Sequence, residues 1–185
     1  MVLPPEAKRR ATAAAPPPAL PAVSFRDTVR EGDREVVRGI VSSTGFFHPG
    51  EVLIAVELVE ERLARGAASG YFFVFLEEDG RTSGYTCYGP VAGTSASFDL
   101  YWIAVHGARR GAGLGSILLA QTEARIRAAG GRRLYAETSG RPQYRPTRRF
   151  YRRAGFRREA RLRDFYAPGD DKLIFVKELS SPSPP

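Results

Sequence analysis

Two hydrophobic periods alternate along the chain between Val23 and Leu179. Apolar runs and alternations predict strands at residues 23–29, 71–77, 82–88, 98–105, 134–138, 156–165 and 173–179. Apolar positions three and four apart predict helices at residues 33–41, 52–63, 114–124 and 147–154. The order β-α-α-β-β-β-α-β-α-β-β indicates an α/β protein with a mixed, mostly antiparallel central sheet flanked by helices.

Turn and cap residues support these boundaries. Asp79-Gly80 predicts a tight hairpin turn between the second and third strands. Asp33 is a suitable N-cap for the first helix, because its carboxylate can accept hydrogen bonds from the first turn. The fourth strand, residues 98–105, is almost continuously apolar, which predicts that both of its faces are covered.

Composition defines one domain with two tails. The chain has 185 residues, 43% of them hydrophobic, which suits one globular domain over residues 23–179. Residues 1–22 are rich in Pro and Ala and are expected to be disordered, and residues 180–185 are expected to be frayed. The run Pro16 to Pro18 interrupts any signal-peptide core, and no run of 18 apolar residues predicts a membrane span.

The chain contains one cysteine, Cys87, within the third predicted strand. A single cysteine cannot form a disulfide within its own chain, so we expect a buried, inert thiol. This usage agrees with a reducing cytoplasm. No metal site is expected.

A glycine-rich loop joins the fourth strand to the third helix. Glycines at alternate positions allow sharp turns and close approach to a ligand, and the free N–H groups at a helix start attract phosphate. The loop lacks the Gly-Lys-Ser/Thr of a Walker A motif and the spacing of a dinucleotide-binding fold. Spacing alone leaves phosphate binding and an ordinary strand–helix connection equally open. The loop residues are Arg109, Arg110, Gly111, Ala112, Gly113, Leu114 and Gly115.

This loop resembles the acetyl-CoA motif of the GCN5-related N-acetyltransferases, the GNAT family. Arg110, Gly113 and Gly115 match the family pattern Arg/Gln-x-x-Gly-x-Gly/Ala. Downstream, the segment 150–156 (FYRRAGF) resembles the family's Phe/Leu-Tyr-x-x-x-Gly-Phe. The resemblance covers about residues 23–179. It implies the GNAT acyl-CoA N-acyltransferase fold, and transfer of an acetyl group from acetyl-CoA to a primary amine of a small molecule or peptide.

The resemblance also implies a donor site. The pantetheine arm would pair with the fourth strand, and the pyrophosphate would lie on the loop amides. Tyr144 and Thr147 stand where the family often has Asn and Ala, and Thr147 either contacts the arm or caps the helix. The residues expected to bind acetyl-CoA are Ile103, Ala104, Val105, Arg109, Arg110, Gly111, Ala112, Gly113, Leu114, Gly115, Ser116, Thr147 and Arg148.

Three residues are candidates for acid–base catalysis. Tyr151 falls on the family's general-acid tyrosine, where a phenol would protonate the departing thiolate. Glu137 resembles a strand glutamate that serves as general base in protein-acetylating relatives, and Asp99 is the second choice. The alternatives are a packed tyrosine and two structural or solvated carboxylates.

Positive charge is concentrated in residues 141–163. This stretch has ten arginines and one glutamate, a sum of +9, against a formal net charge of +8 for the whole chain. Like charges four residues apart destabilise a helix, as in Arg148/Arg152 and Arg149/Arg153, so an anion such as the CoA 3′-phosphate would suit this face. A solvated arginine face is the alternative. Nucleic acid is not expected, because no recognition motif accompanies the charge.

The acceptor remains unspecified by these motifs. In the resembled fold the first two helices cover the acceptor site, so Phe46, Phe47 and His48 either contact substrate or serve as a packed surface loop. The strings GYTCYGP, ETSGRPQYRPTRRFY and DFYAPGDDK resemble a bacterial subgroup found beside ATP-grasp ligases of the D-alanine–D-alanine ligase type. The expected partners are acetyl-CoA and an amine, with the protein a monomer or a homodimer. The alternative function is a CoA- or nucleic-acid-binding module without catalysis.

Overall fold

The computed structural model describes residues 23–179, so both tails expected from the sequence lie outside the described residues. The described elements follow the predicted order. The strands are β1 (Val23–Arg26), β2 (Phe72–Glu78), β3 (Arg81–Pro90), β4 (Ser97–Val105), β5 (Arg133–Ser139), β6 (Arg157–Ala167) and β7 (Asp170–Glu178). The helices are α1 (Asp33–Ser43), α2 (Pro49–Arg65), α3 (Leu114–Ala128) and α4 (Arg145–Arg153).

The strands form one seven-stranded sheet in the order β1-β2-β3-β4-β5-β7-β6. Adjacent strands are antiparallel except β4 and β5, which are parallel and are connected through α3. The sheet is therefore mixed and mostly antiparallel, which confirms the predicted fold class.

The parallel pair separates halfway along its length. β4 pairs with β5 only from Ser97 to Leu100, where Leu100 lies opposite Ala136. Beyond this point β4 continues beside β3 as far as Val105, and β5 continues beside β7 as far as Ser139. A gap therefore opens in the middle of the sheet, bordered by backbone that has lost its parallel neighbour.

Helices cover the two faces of the sheet unequally. One face carries α3 and α4 over a core that contains the fully buried Leu118, Leu134 and Phe175. On the opposite face α1 and α2 pack on β2, β3 and β4, through residues such as Val41 and Phe73. The second core takes none of its described residues from β5, β6 or β7, so the sheet beside α2 stays open on that face.

The structure corrects three local predictions. β4 is not covered on both faces, since Tyr101 is 40% exposed at the open side of the sheet. Asp33 is the first residue of α1 and not its N-cap, and its carboxylate accepts hydrogen bonds from the Arg26 guanidinium at 2.8 and 2.9 Å. Thr147 does not cap α4, because the helix begins at Arg145, with Pro146 in its first turn.

The expectation for Cys87 is confirmed. Its side chain is fully buried in β3, and this burial raises the thiol pKa well above its ordinary value. Burial therefore disfavours the thiolate, which is the nucleophilic form.

Candidate active site

The gap between β4 and β5 opens into a cavity of about 1260 Å³. Its walls come from the start of α2, the β3–β4 loop, β4, β5, α4, β6 and β7. Phe47 and His48 line it as anticipated for the loop before α2, whereas Phe46 packs against Arg110 and Tyr144. The cavity brings together all three residues predicted to perform acid–base chemistry, Asp99, Glu137 and Tyr151.

Tyr151 reaches this cavity from α4, on the core side of the sheet. It is 5% exposed and packs its ring against Phe150, Phe156 and Phe175. Burial chiefly, and then the charge of Glu137, raises the phenol pKa well above its ordinary value. Within residues 23–179 its hydroxyl has no hydrogen-bond partner, so the buried phenol offers the cavity an uncommitted proton donor. The Tyr151 ring can therefore pack in the core while its hydroxyl serves as a proton donor to the cavity.

Asp99 and Glu137 occupy the same face of the sheet on neighbouring strands. Asp99 lies opposite Tyr135 in the parallel ladder, and Glu137 follows two residues later, so both side chains point the same way. Burial, and then the charge of Glu137, raises the Asp99 pKa, while Lys172 lowers it. The Glu137 side chain is 53% exposed and forms an ion pair with Lys172.

No sequence pattern marked Lys172 as a residue of the candidate site. It lies in β7 opposite Ser139, and this register puts its ammonium group beside a carboxylate 35 positions earlier in the chain. The ring of Phe165 lies 4.5 Å from its Nζ. Local spacing gives no sign of this contact, since it depends on the antiparallel pairing of β5 with β7.

The glycine-rich loop exposes its backbone. Gly111 and Gly113 have φ of +82° and +77°, and no atom lies within 4 Å of the place where either Cβ would be. Gly113 is the N-cap of α3, whose first amides have no acceptor within the helix. The turn therefore has open space beside it, and the amides of residues 111–115 have no backbone acceptor among residues 23–179, as a phosphate site requires.

The side chains of the two loop arginines are already occupied. Arg109 donates from Nε to the Glu78 carboxylate at 2.9 Å, and this bond lowers the Glu78 pKa. Arg110 donates to the Thr44 carbonyl at 2.6 Å, and its guanidinium lies 4.7 Å from the centre of the Phe46 ring. Both arginine side chains hold the loop in place. The loop groups that remain available to a ligand are therefore mainly backbone amides.

Arg148 likewise makes internal contacts. Its Nη1 donates to the carbonyls of Ser139 and Arg141 at 2.8 and 2.9 Å, which ties α4 to the end of β5. Arg149 and Arg153 instead line a separate cavity of about 500 Å³ between α3 and α4, together with Ser116. The expected donor contacts are thus divided, with Ser116 at this second cavity and Thr147 at the first.

The described residues show neither a membrane-spanning helix nor a metal-binding cluster. Within residues 23–179, no helix combines the length and apolar character needed to cross a membrane. The same part of the chain contains no cluster of three His, Cys, Asp or Glu residues arranged to hold a metal ion.

A mixed sheet with a central gap and a glycine turn at a helix start agree with the fold of an acetyltransferase. The family described as acetyltransferase (GNAT) matches residues 43–156, more than half of the chain. The chain therefore belongs to the GNAT family of acetyltransferases. No curated protein matches it significantly.

Solved structures agree with this assignment. A GNAT-family protein from Desulfovibrio desulfuricans is 53% identical, with a TM-score of 0.84, over 86% of this chain and 100% of that one. The ribosomal-protein-S18-alanine N-acetyltransferase of Escherichia coli is 18% identical, with a TM-score of 0.69, over 88% and 97% of the two chains. An aminoglycoside 6′-N-acetyltransferase complexed with coenzyme A is 16% identical, with a TM-score of 0.68, over 89% and 99%. The last two share the fold alone.

Proposed function

We propose that this protein is an acetyl-CoA-dependent N-acetyltransferase that acetylates a primary amine by direct attack on the thioester. The observation that carries the proposal is the cavity at the β4–β5 gap, where the free hydroxyl of buried Tyr151 faces the same space as Asp99 and Glu137. A proton donor and two possible proton acceptors are the groups that this chemistry needs.

Backbone geometry supports the donor site. Past Leu100, the edge of β4 that faced β5 has no strand beside it, so Ile103 to Val105 can pair with the amide groups of a pantetheine arm. The amides of residues 111–115, which make no backbone hydrogen bond among the described residues, would bind the pyrophosphate at the start of α3. Arg149 and Arg153, which line the second cavity, are the better candidates for the 3′-phosphate, because Arg148 is held by carbonyl groups.

The reaction is assigned as follows. The neutral amine of the acceptor attacks the thioester carbonyl carbon, the C–S bond breaks, and an amide and CoA thiolate are formed. A carboxylate takes the amine proton, and Tyr151 gives its proton to the thiolate. The contacts favour Asp99 over Glu137 as base, since Asp99 is half-buried without an ion-pair partner among the described residues, whereas Glu137 is paired with Lys172.

The acceptor would enter from the face beside α2, where Phe47 and His48 form part of the wall. We propose that this acceptor is a small molecule or a peptide. We also propose that the protein is cytoplasmic and belongs to the bacterial subgroup found beside ATP-grasp ligases. The aminoglycoside 6′-N-acetyltransferase structure, which shares only the fold, contains coenzyme A and is a precedent for the donor.

A thiol-release assay would test the proposal. Purified protein with acetyl-CoA is screened against amino acids, polyamines, aminoglycosides and peptides, and calorimetry measures acetyl-CoA binding in parallel. We expect binding and amine-dependent release of CoA. Binding without release for every acceptor would favour the alternative, a CoA-binding module without catalysis. Absence of acetyl-CoA binding by the folded protein would exclude both.

A further inference from the structure

The charge of the acceptor cavity opposes that of the whole protein. The chain has a formal net charge of +8, yet the cavity walls hold more carboxylates than cationic side chains. One of these carboxylates, Glu159, is paired with Arg157 outside the cavity wall. The others form two groups of similar composition.

The first group, here the sheet cluster, consists of Asp99, Glu137 and Lys172. Lys172 pairs with Glu137, and Asp99 on the neighbouring strand lies close enough for its pKa to respond to both of them. Two carboxylates therefore share one ammonium group, which leaves one negative charge in a half-buried place. Such a charge is costly unless a cation pairs with it.

The second group, here the end cluster, consists of Glu51, Asp170 and Arg141. Arg141 pairs with Asp170 at 2.9 Å, and Glu51 belongs to the first turn of α2. Tyr144 lines the cavity together with all three residues, and besides burial each of their charges acts on its pKa. Again two carboxylates share one cationic side chain.

The two clusters are neighbours within one cavity. Asp170 and Lys172 are two residues apart on β7, which corresponds to roughly 7 Å along a strand. Tyr166 lines the same cavity, and burial chiefly, and then the charges of Glu137, Asp170 and Glu51, raise the pKa of its hydroxyl. Its ring and that of Tyr101 are about half exposed, and aromatic faces of this kind attract cations.

One further residue of the cavity wall, the proposed proton donor, points to a ligand. Tyr151 is 5% exposed, and its hydroxyl is directed into the cavity without a partner among residues 23–179. A hydroxyl that is open to the cavity on an otherwise buried residue can donate to a molecule that enters there. The carboxylate clusters therefore surround a place where a reacting group is expected.

We propose that the acceptor is a small molecule with two positively charged amino groups, one bound at each cluster. The inference rests on the proposed acetyltransferase function. The ammonium group at the sheet cluster first gives one proton to solvent, and the neutral amine then attacks the thioester as assigned above, with its second proton taken by Asp99 and the thiolate protonated by Tyr151. The second ammonium group stays paired with Glu51 and Asp170. A spacing of roughly 7 Å along β7 suits a diamine with about four or five methylene groups.

The test compares matched amines. Acetylation kinetics are measured with 1,4-diaminobutane, 1,5-diaminopentane, pentylamine and 5-aminopentanoate at one pH and ionic strength. We expect kcat/KM for the diamines to exceed that for pentylamine by roughly 10- to 100-fold, the value of one charged hydrogen bond. The carboxylate of 5-aminopentanoate should make it the poorest substrate. Diamine and pentylamine rates within a factor of about two, or a preference for the amino acid, would overturn the inference.

Two variants locate the effect. Glu51→Gln keeps an oxygen that can accept from the His48 N–H, and it should lower the diamine kcat/KM toward the pentylamine value. Glu57→Gln makes the same charge change on an exposed position of α2 outside the cavity and should leave the preference intact. Equal effects of both variants would overturn the end-cluster assignment. If pentylamine is acetylated without diamine preference, the proposed function stands and this inference fails. If acetyl-CoA is not bound, both fail.

Discussion

Lys172 forms an ion pair with Glu137 on the open face of the sheet, beside the half-buried carboxylate of Asp99. This contact distinguishes the two carboxylates that the sequence offered as candidate bases, Glu137 first and Asp99 second. Glu137 has a cationic partner inside the protein, whereas the charge of Asp99 is opposed by burial and by Glu137. A raised pKa brings a base closer to the pH at which it operates, which favours Asp99.

The first prediction distinguishes the two bases by their pH–rate profiles. The acidic limb of kcat/KM should reflect protonation of Asp99, with a midpoint above the ordinary aspartate pKa. Asp99→Asn should abolish this limb together with most of the activity. Glu137→Gln should keep it but move it to lower pH, because a like charge is removed and Lys172 is released toward Asp99. Lys172→Met should move it to higher pH. A flat limb in Glu137→Gln with a normal limb in Asp99→Asn would identify Glu137 as the base.

The second prediction concerns the general acid. Tyr151→Phe keeps the packing against Phe156 and Phe175 and removes the proton, so kcat should fall by roughly 100- to 10,000-fold with acetyl-CoA affinity nearly unchanged. Steady-state kinetics and calorimetry measure the two quantities. If the variant turns over as fast as the wild type, Tyr151 serves packing alone and the thiolate leaves unprotonated.

Tyr85→Phe provides the matched control for this variant. Tyr85 is fully buried under α1 and α2, and its hydroxyl has no hydrogen-bond partner among the described residues. Losing this hydroxyl should leave kcat unchanged and increase the free energy of unfolding by about 1 kcal/mol. Chemical denaturation measures the change, and a clear loss of stability would show that the hydroxyl has a favourable contact.

Local sequence signals predicted the elements but not their mutual contacts. The hydrophobic periods and the Asp79-Gly80 turn place each strand and helix within a few residues of its observed bounds, because these signals act over short distances. The end of β4–β5 pairing at Leu100 carries no such signal. It depends on how β5 pairs with β7 and β4 with β3, which is a property of the assembled sheet.

The candidate site shows the same division. The resemblance to the GNAT family picked out Tyr151 and Glu137, and Asp99 is the second choice as base because it lies on the fourth strand. The structure brings all three to one cavity. The partners of Arg109 and Arg110 could not be inferred, because Glu78 and Thr44 are at least 31 residues away. The charge of these two arginines and their place in a glycine-rich loop suggested contacts to phosphate. In the folded chain their guanidinium groups instead donate to acceptors within the protein.

The third prediction tests the backbone site for pyrophosphate. Gly113→Val would place a side chain in the open space over the turn, so acetyl-CoA affinity should fall by roughly 10-fold or more in calorimetry. The substitution also forces a β-branched residue to a φ of +77°, which costs about 1–2 kcal/mol of stability. Gly80→Val in the β2–β3 turn has nearly the same φ, +76°, and equally open surroundings. It should lose similar stability and retain acetyl-CoA binding. Equal affinities in the two folded variants would refute the loop assignment.

The last prediction separates two neighbouring arginines of α4. Arg148 is bound to the carbonyls of Ser139 and Arg141, so Arg148→Ala should lower the melting temperature. It should weaken CoA and 3′-dephospho-CoA to the same small extent. Arg149 lines the cavity between α3 and α4, so Arg149→Ala should leave the melting temperature nearly unchanged.

Arg149→Ala should weaken CoA by roughly 10-fold more than 3′-dephospho-CoA, because it removes a charge-assisted hydrogen bond to the phosphate. Calorimetry with both ligands at fixed ionic strength measures this ratio, and Arg158→Ala, on the exposed strand β6, controls for the change in net charge. If Arg148→Ala changes the ratio of CoA to 3′-dephospho-CoA affinity and Arg149→Ala does not, the carbonyl contacts of Arg148 must break when CoA binds. If it changes with neither, the arginines of α4 form a solvated face, and the 3′-phosphate is bound elsewhere.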